Sequence, residues 1–277
     1  MAKIIIFTQN TMASIVATRE ILLKNPHQIK AVVLASQFRG ESFFSQLKVA
    51  YKLTRKSSLN FFIYKLVESK LYNFLLAGHK MIKSKAYLDN QAVSTTDLAR
   101  KQNIHIITTS DLSEDSFLAK IKELNPDYVL CLVAQILKKN VFTTLGNRLI
   151  NAHGSYLPEY RGAAQYFWYR LNNDPQYGVT IHFMDAGLDT GEIIFQKKFA
   201  YDQKYSVYQL HHQLAKSFGQ MLNEFIENYA NNNLPLPTIK QDEIKATFTR
   251  MPTKEDFKEL KKKKIRLISP QDFFKCI

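Results

Sequence analysis

The sequence predicts an α/β fold built on one mostly parallel sheet, and three observations carry that prediction. The chain opens on a β-branched run, Lys3 to Thr8. Helix-type spacing follows from Thr11 to Lys24, with Ile15, Ile21, Leu22 and Leu23, and stops at Asn25-Pro26. Ile29 to Ala35 is then a second unbroken apolar run. Strands that read as continuous apolar runs are buried on both faces, and strand–helix–strand in succession is the unit of a parallel sheet. With 277 residues, 45% hydrophobic and 22% charged, the chain can bury a sizeable core and is neither disordered nor collagen-like.

The later elements follow the same logic. Ile104 to Ile107 is a short strand, Ser116 to Leu124 a helix closed by Asn125-Pro126, and Asp127 to Val133 a buried strand. Leu149 to His153, Gly178 to Met184 and Ile193 to Phe199 read as three more strands, and Val207 to Tyr229 as a long helix. Between the second and third strands, residues of about 40–98 break the rhythm. There Leu59, Phe62, Ile63, Leu66, Val67, Leu71, Phe74 and Leu75 fall at steps of three and four, predicting a helical insertion whose apolar stripe packs on the main domain or on a partner subunit. Pro235 and Pro237 after the polar run Asn231 to Asn233 mark a boundary, so the expected organisation is one domain over 1–230 and a small basic region over 231–277.

Lysine and arginine number 38 against 24 aspartates and glutamates, a net charge of +14. The excess is concentrated: 12 basic against 4 acidic residues from Arg39 to Lys101, and 9 against 4 from Arg250 to Ile277. Such a field favours anionic partners: phosphorylated or polyglutamylated small molecules, nucleic acid, or acidic lipid. Two cysteines, Cys131 and Cys276, make no disulfide framework, and no apolar run is long enough to span a membrane, so the expected location is the cytoplasm. His211-His212 lacks carboxylate or cysteine partners at ligand spacing, and no metal is assigned.

The chemistry is concentrated in two loops. One is Asn151-Ala-His153-Gly-Ser155, running on through Leu157-Pro158 to Tyr160-Arg161-Gly162. The other is Met184-Asp185-Ala-Gly187-Leu-Asp189-Thr190-Gly191. Asn151 and His153 are two apart at a strand end, which puts both side chains on one face. A histidine moves protons near neutral pH, an amide N–H donates to an oxyanion, and a carboxylate orients an imidazole. If the two loops meet outside the strand ends of a parallel sheet, these three groups make an acyl-transfer site in which the substrate brings its own amine nucleophile. Ser155 either positions a water or a ring, or caps a turn.

These segments resemble the 10-formyltetrahydrofolate-dependent formyltransferase family, which includes methionyl-tRNA, glycinamide ribonucleotide and amino-sugar formyltransferases. The resemblance rests on the Asn-x-His-x-Ser turn, the Leu-Pro-x-Tyr-Arg-Gly segment and an aspartate 36 residues after the histidine. It implies a Rossmann-like formyltransferase fold, with Asn151, His153 and Asp189 as the catalytic trio and Ser155, Arg161 and Gly162 in support. It also implies 10-formyltetrahydrofolate as formyl donor, in a pocket lined by Leu132, Val133, Ala134, Gln135, Ile136 and Leu137 and by Met184, Asp185 and Gly187. Gly154 stands where the family usually has proline. The first loop, Thr8 to Met12, lacks the glycine-rich phosphate cradle of the glycinamide ribonucleotide enzymes. The chain also stops roughly where methionyl-tRNA formyltransferases begin a second domain. The expected acceptor is therefore a small amine, such as a nucleotide-linked amino sugar, with aminoacyl-tRNA the less favoured partner. Two other readings stay open: a formyltetrahydrofolate hydrolase, and a non-catalytic folate- or RNA-binding module.

Overall fold

A computed structural model of the chain describes residues 1–36, 58–231, 236–269 and 271–272. Strands β1 (Ile4–Gln9), β2 (Ile29–Ala35), β3 (His105–Thr109), β4 (Tyr128–Cys131) and β5 (Leu149–His153) form the parallel part of a seven-stranded sheet. The two-residue strand β6 (Arg161–Gly162) lies outside it, and β7 (Gln176–Phe183) and β8 (Ile193–Ala200) complete it, in the order β3-β2-β1-β4-β5-β7-β8. Every residue of β1 is buried, as its central place and unbroken apolar run require. β7 is antiparallel to β5 and to β8, so the sheet reverses direction at the seam that carries the two motif segments.

The helices are α1 (Met12–Lys24), α2 (Leu59–Met81), the single turn α3 (Lys85–Leu88), α4 (Thr95–Lys101), α5 (Asp115–Glu123), α6 (Lys139–Leu145), α7 (Gln165–Asn172), α8 (Val207–Phe225) and α9 (Lys254–Lys262). Thr11 caps α1 through Ser14 N, and Ser206 with Gln209 forms a capping box at the start of α8. One core gathers α1, α8, Phe167 of α7 and Phe257 of α9 on Ile150, Ala152, Val179 and Ile181. A second core packs α5 and α6 on the opposite face, where Leu149 points. Cys131 is buried there, and burial pushes its thiol up to about 12. Cys276 lies outside the described residues.

The helix α2 exists as the spacing predicts, but the expected stripe is not its packed side. None of Leu59, Phe62, Ile63, Leu66, Val67, Leu71, Phe74 and Leu75 is buried. The face that packs is Phe61, Tyr64, Glu68, Ser69, Tyr72 and Leu76. Its polar atoms find partners: Ser69 Oγ donates to Asn10 O at 3.0 Å, and Tyr72 OH accepts from Arg19 Nη1 at 3.3 Å. Polar groups so satisfied are tolerated inside, so hydropathy alone selects the wrong side of this helix. The first part of the basic stretch after Arg39 falls in 37–57, outside the described residues.

The segment after residue 235 returns to the main sheet. Ile239 bridges Ile193, β9 (Phe248–Thr249) pairs in parallel with β6, and Phe257 packs against Phe167 at 5.3 Å between ring centroids.

Candidate active site

Side chains alternate across a strand, so Ile150 and Ala152 enter the first core while Leu149, Asn151 and His153 share the other face. On β7 the same alternation sends Val179 and Ile181 one way and Thr180 and His182 the other. Asn151 is registered opposite His182, and their side chains meet: Asn151 Nδ2 lies 3.1 Å from His182 Nε2. The site is thus assembled on a sheet face at the antiparallel β5–β7 seam. This corrects the expectation that both loops leave parallel strands at a common end.

The loop between β7 and β8 then folds back over the seam. Asp185 Oδ1 accepts from Gly187 N at 3.0 Å and from Thr190 Oγ1 at 2.7 Å, fastening the turn. Gly191 closes it against Phe183 O so tightly that a Cβ would lie 1.8 Å from that oxygen. Asp189, in the left-handed region with φ 55°, places Oδ1 3.4 Å from His153 Nδ1. Its other oxygen, Oδ2, accepts from Gly162 N at 2.9 Å. Gly162 itself has φ 110° and passes β9 so closely that a Cβ would meet Thr249 O at 2.3 Å.

The two histidines have different partners. His182 Nδ1 is 2.7 Å from Phe183 O, so that nitrogen carries the proton and Nε2 accepts from Asn151. Burial, then the neighbouring His153, lowers the His182 imidazole to about 4, which keeps it a neutral acceptor. This arrangement orients the Asn151 amide, which uses one N–H on His182 and keeps a second. His153 is buried, with Nε2 3.1 Å from Tyr160 O. That assigns the Nε2 proton to the carbonyl and leaves the Nδ1 edge facing Asp189. Tyr160 holds φ at 56°, a costly region for an aromatic residue, and its carbonyl is aimed at the imidazole.

The other expected positions divide into lining and support. Leu132 and Leu137 are buried in the cores, whereas Val133, Ala134 and Gln135 are at least partly accessible and Ile136 is 87% exposed. Gln135 spends its amide on Ser36 O and Ser110 O, tying together the loops after β2, β3 and β4. Met184 is half-buried beside the second core, and the exposed side chain of Leu188 lies on the same loop as Asp189. Val133, Ile136, Met184 and Leu188 leave apolar side chains at least partly accessible on the loops after β4 and β7, which suits the ring system of a formyl-folate donor. Ser155 is fully buried and caps a turn, its Oγ donating to Glu159 O at 2.6 Å. Arg161, 1% exposed, donates to both oxygens of Glu243 and twice to Gln241 Oε1. The hydrogen bonds to Glu243 hold its guanidinium above the ordinary arginine range.

Three residues join the site without having been singled out from the sequence. His182 was within reach of the argument, since strand alternation places it with Thr180 on the Asn151 face. Gln165 Nε2 donates to Gly162 O at 2.7 Å beside the His153 ring. Gln241 Nε2 donates to Asp189 O and Gly191 O at 2.8 and 2.7 Å, bracing the aspartate loop from 50 residues away. Neither glutamine leaves a local pattern, because each contact is purely tertiary.

The Formyl transferase family model matches residues 71–226, more than half of the chain, and includes Asn151, His153, Asp189 and His182 but not Gln241 or Glu243. A methionyl-tRNA formyltransferase from Caldanaerobacter subterraneus subsp. tengcongensis is 32% identical over 161 residues, covering 57% of this chain and 52% of its own. The chain spans about half the length of the curated relatives it matches. Among solved structures, a phosphoribosylglycinamide formyltransferase from Anaplasma phagocytophilum aligns with a TM-score of 0.58 at 12% identity, over 90% of this chain and 99% of that one. An N-formyltransferase from Helicobacter canadensis, solved with folinic acid and dTDP-3-aminofucose, aligns with a TM-score of 0.53 at 21% identity, over 92% and 72%. At these identities the structural likeness is one of fold.

Proposed function

The chain belongs to the formyl transferase family, and from that premise we propose that it moves a formyl group from 10-formyltetrahydrofolate to an acceptor amine, with Asn151, His153 and Asp189 as the catalytic residues. The observation that supports the reading is that His153 Nδ1 lies 3.4 Å from Asp189 Oδ1, while Asn151 shares the sheet face of His153 with its amide held on His182. The donor, when bound, supplies an already activated formyl carbonyl, so positioning and charge stabilisation suffice.

Asn151 acts through its second Nδ2 proton, aimed at the oxygen of the carbonyl under attack. Its own orientation is fixed because His182 Nε2 can only accept. His153 acts as the local positive charge: once protonated, its Nε2–H is held by Tyr160 O and its Nδ1–H points towards Asp189. Asp189 Oδ2 is anchored on Gly162 N, which leaves Oδ1 to receive the proton shed by the attacking amine, directly or through one water, and to return it to N10 of the folate as the formyl C–N10 bond breaks and tetrahydrofolate leaves. The 14% exposure of the Asp189 side chain and the partial burial of Asn151 give the cluster its opening to solvent.

The proposed acceptor is a small amine such as a nucleotide-linked amino sugar. Its support is the first loop, which lacks a glycine-rich cradle, and α2, which walls that loop through Ser69 and Asn73 on Asn10 O. Aminoacyl-tRNA remains a second reading because methionyl-tRNA formyltransferases are the relatives at 32% identity. The test is to incubate the full chain with 10-formyltetrahydrofolate and a panel of nucleotide-linked amino sugars, simple amines and methionyl-tRNA. Tetrahydrofolate release that depends on an acceptor is the expected result. Formate release without acceptor would make the protein a hydrolase, and the absence of both products would overturn the reading.

A further inference from the structure

A second polar centre lies at the far end of α7, away from the trio. There a cavity of about 580 Å³ is lined by Arg170, Asn173, Lys204, Lys263, Lys264 and Arg266, and among the described residues no carboxylate lines it. That volume falls within the range of small-molecule sites. Five cations around one cavity repel one another unless an anion shares the space, so their gathering is itself an energetic argument for a negatively charged occupant.

The cations are held in place. Arg170 is 5% exposed, with Nε donating to Tyr205 O at 2.8 Å, Nη1 reaching Gln203 Oε1 at 3.3 Å, and its guanidinium 6.0 Å from the Tyr201 ring. These partners are neutral, so they orient the fork without cancelling its charge. Lys263 Nζ rests on Leu171 O at 2.9 Å, covering the negative end of α7, and Arg266 Nη2 lies 3.4 Å from Lys204 O. The two walls are tied by main-chain bonds from Val207 N to Arg266 O and from Tyr208 N to Leu267 O, each 3.0 Å. The nearby carboxylate Asp174 accepts from Tyr160 OH, and Asp202 from Lys204 N. Among the described residues, no ion pair joins Lys204, Lys263, Lys264 or Arg266 to an acidic side chain.

We propose that this cavity binds a ligand through two or more phosphate groups, with Arg170 as the buried fork and Lys204, Lys264 and Arg266 as the exposed clamp. Planar guanidinium and mobile ammonium groups together suit a diphosphate better than a single carboxylate. The phosphates belong either to a nucleotide-type small molecule or to a nucleic-acid backbone; the recognising chemistry is the same. The proposal does not depend on formyl transfer.

The test uses the full chain, inorganic pyrophosphate, a nucleoside diphosphate and a 20-nucleotide RNA, read by isothermal titration and by thermal unfolding at two salt concentrations. Pyrophosphate should bind and raise the unfolding midpoint. The double variant Lys204→Gln/Lys264→Gln, altered only at exposed side chains, should hold or raise the ligand-free midpoint, since it relieves repulsion among the cations, and should weaken pyrophosphate binding at least tenfold. Arg266→Gln provides a second surface variant should the double one fold poorly. Competition by the nucleoside diphosphate but not by RNA would assign the small-molecule source, and competition by RNA with steep salt dependence the backbone source. No pyrophosphate binding by the wild type, or equal binding by wild type and variants, would overturn the proposal.

Discussion

Among the described residues two places bring a histidine against a carboxylate, and they are put to opposite uses. Between α2 and α8, Glu68 meets His211 through one oxygen and Lys65 through the other, with Tyr166 stacked on the imidazole at 3.7 Å. Glu68 is fully buried, yet His211 and Lys65 outweigh the burial and hold its carboxyl down to about 2. At the β5–β7 seam, Asp189 binds a backbone N–H through Oδ2 and stands 3.4 Å off His153 with Oδ1. The first carboxylate has no oxygen to spare and no route to solvent. The second keeps one oxygen uncommitted at a partly open position. Spare bonding capacity, rather than the presence of the pair, separates a structural cluster from a site able to move protons.

The largest effect on stability is expected at the closed cluster. Glu68→Ala takes the counter-charge from Lys65, whose side chain is 31% exposed, and the hydrogen-bond partner from the buried His211 imidazole, and the loss of about 3 kcal/mol should appear as a large drop in the denaturation midpoint. The carboxyl is depressed on folding, so its contribution is present above the unfolded value near 4.5 and is lost as pH falls towards 2. An acid-unfolding curve should therefore be steeper for the wild type than for the variant across that window. Catalysis per folded molecule should survive.

The open cluster should respond the other way. Asn151→Ala or His153→Ala should lower kcat a hundred- to thousandfold, about 3–4 kcal/mol of transition-state stabilisation, while the thermal midpoint falls by less than in Glu68→Ala, because each takes a hydrogen bond from a neutral partner, His182 Nε2 or Tyr160 O. Near wild-type turnover in either variant would remove the proposed trio. A smaller effect is expected at His182, which touches the reaction only through Asn151. His182→Phe removes the acceptor, and ten- to thirtyfold in kcat with little change in KM corresponds to about 1.4–2 kcal/mol. The folded state holds His182 near 4, below the unfolded value near 6.5, so protons favour unfolding: stability should fall as pH drops through that interval in the wild type and not in the variant. Activity of the folded enzyme should drop only at the lower end of that interval, near pH 4, where Nε2 becomes protonated and can no longer accept from Asn151.

The parallel half of the fold was legible because strands buried on both faces read as unbroken apolar runs, as at Ile4 to Phe7 and Ile29 to Ala35. Gly178 to Met184 also read as a strand, but its reversal against β5 depends on where the chain returns, which local pattern does not encode. Helix α7 carries no start signal in the sequence, because its N-cap, Ala164, lies in the left-handed region with no capping side chain, and α6 likewise lacks one. The side of α2 that packs was misread because it buries Tyr64, Glu68 and Tyr72 where hydropathy favours Leu66 and Val67. At the site, the period of two placed Asn151 and His153 together, and the same rule reaches His182 once β7 is registered against β5. Gln165 and Gln241 stayed hidden because only the folded chain brings an amide from so far along the sequence.

Gln241 provides the finest test, because it separates supporting the Asp189 loop from forming it. Its amide stands between Arg161, which donates to Oε1, and the carbonyls of Asp189 and Gly191, which accept from Nε2. Gln241→Ala removes both halves at a partly solvated position where water can replace them, so the expected cost is about 1 kcal/mol, roughly fivefold in kcat. Gln241→Glu keeps the acceptor for Arg161 and replaces the donor with a carboxylate oxygen facing two carbonyls. If Gln241 serves only to hold Arg161 and the C-terminal segment, the glutamate should restore stability and turnover together. If it positions Asp189, the glutamate should recover the unfolding midpoint yet stay as slow as alanine or slower. Stability and rate should thus part company at this residue, as they do between the two histidine–carboxylate clusters.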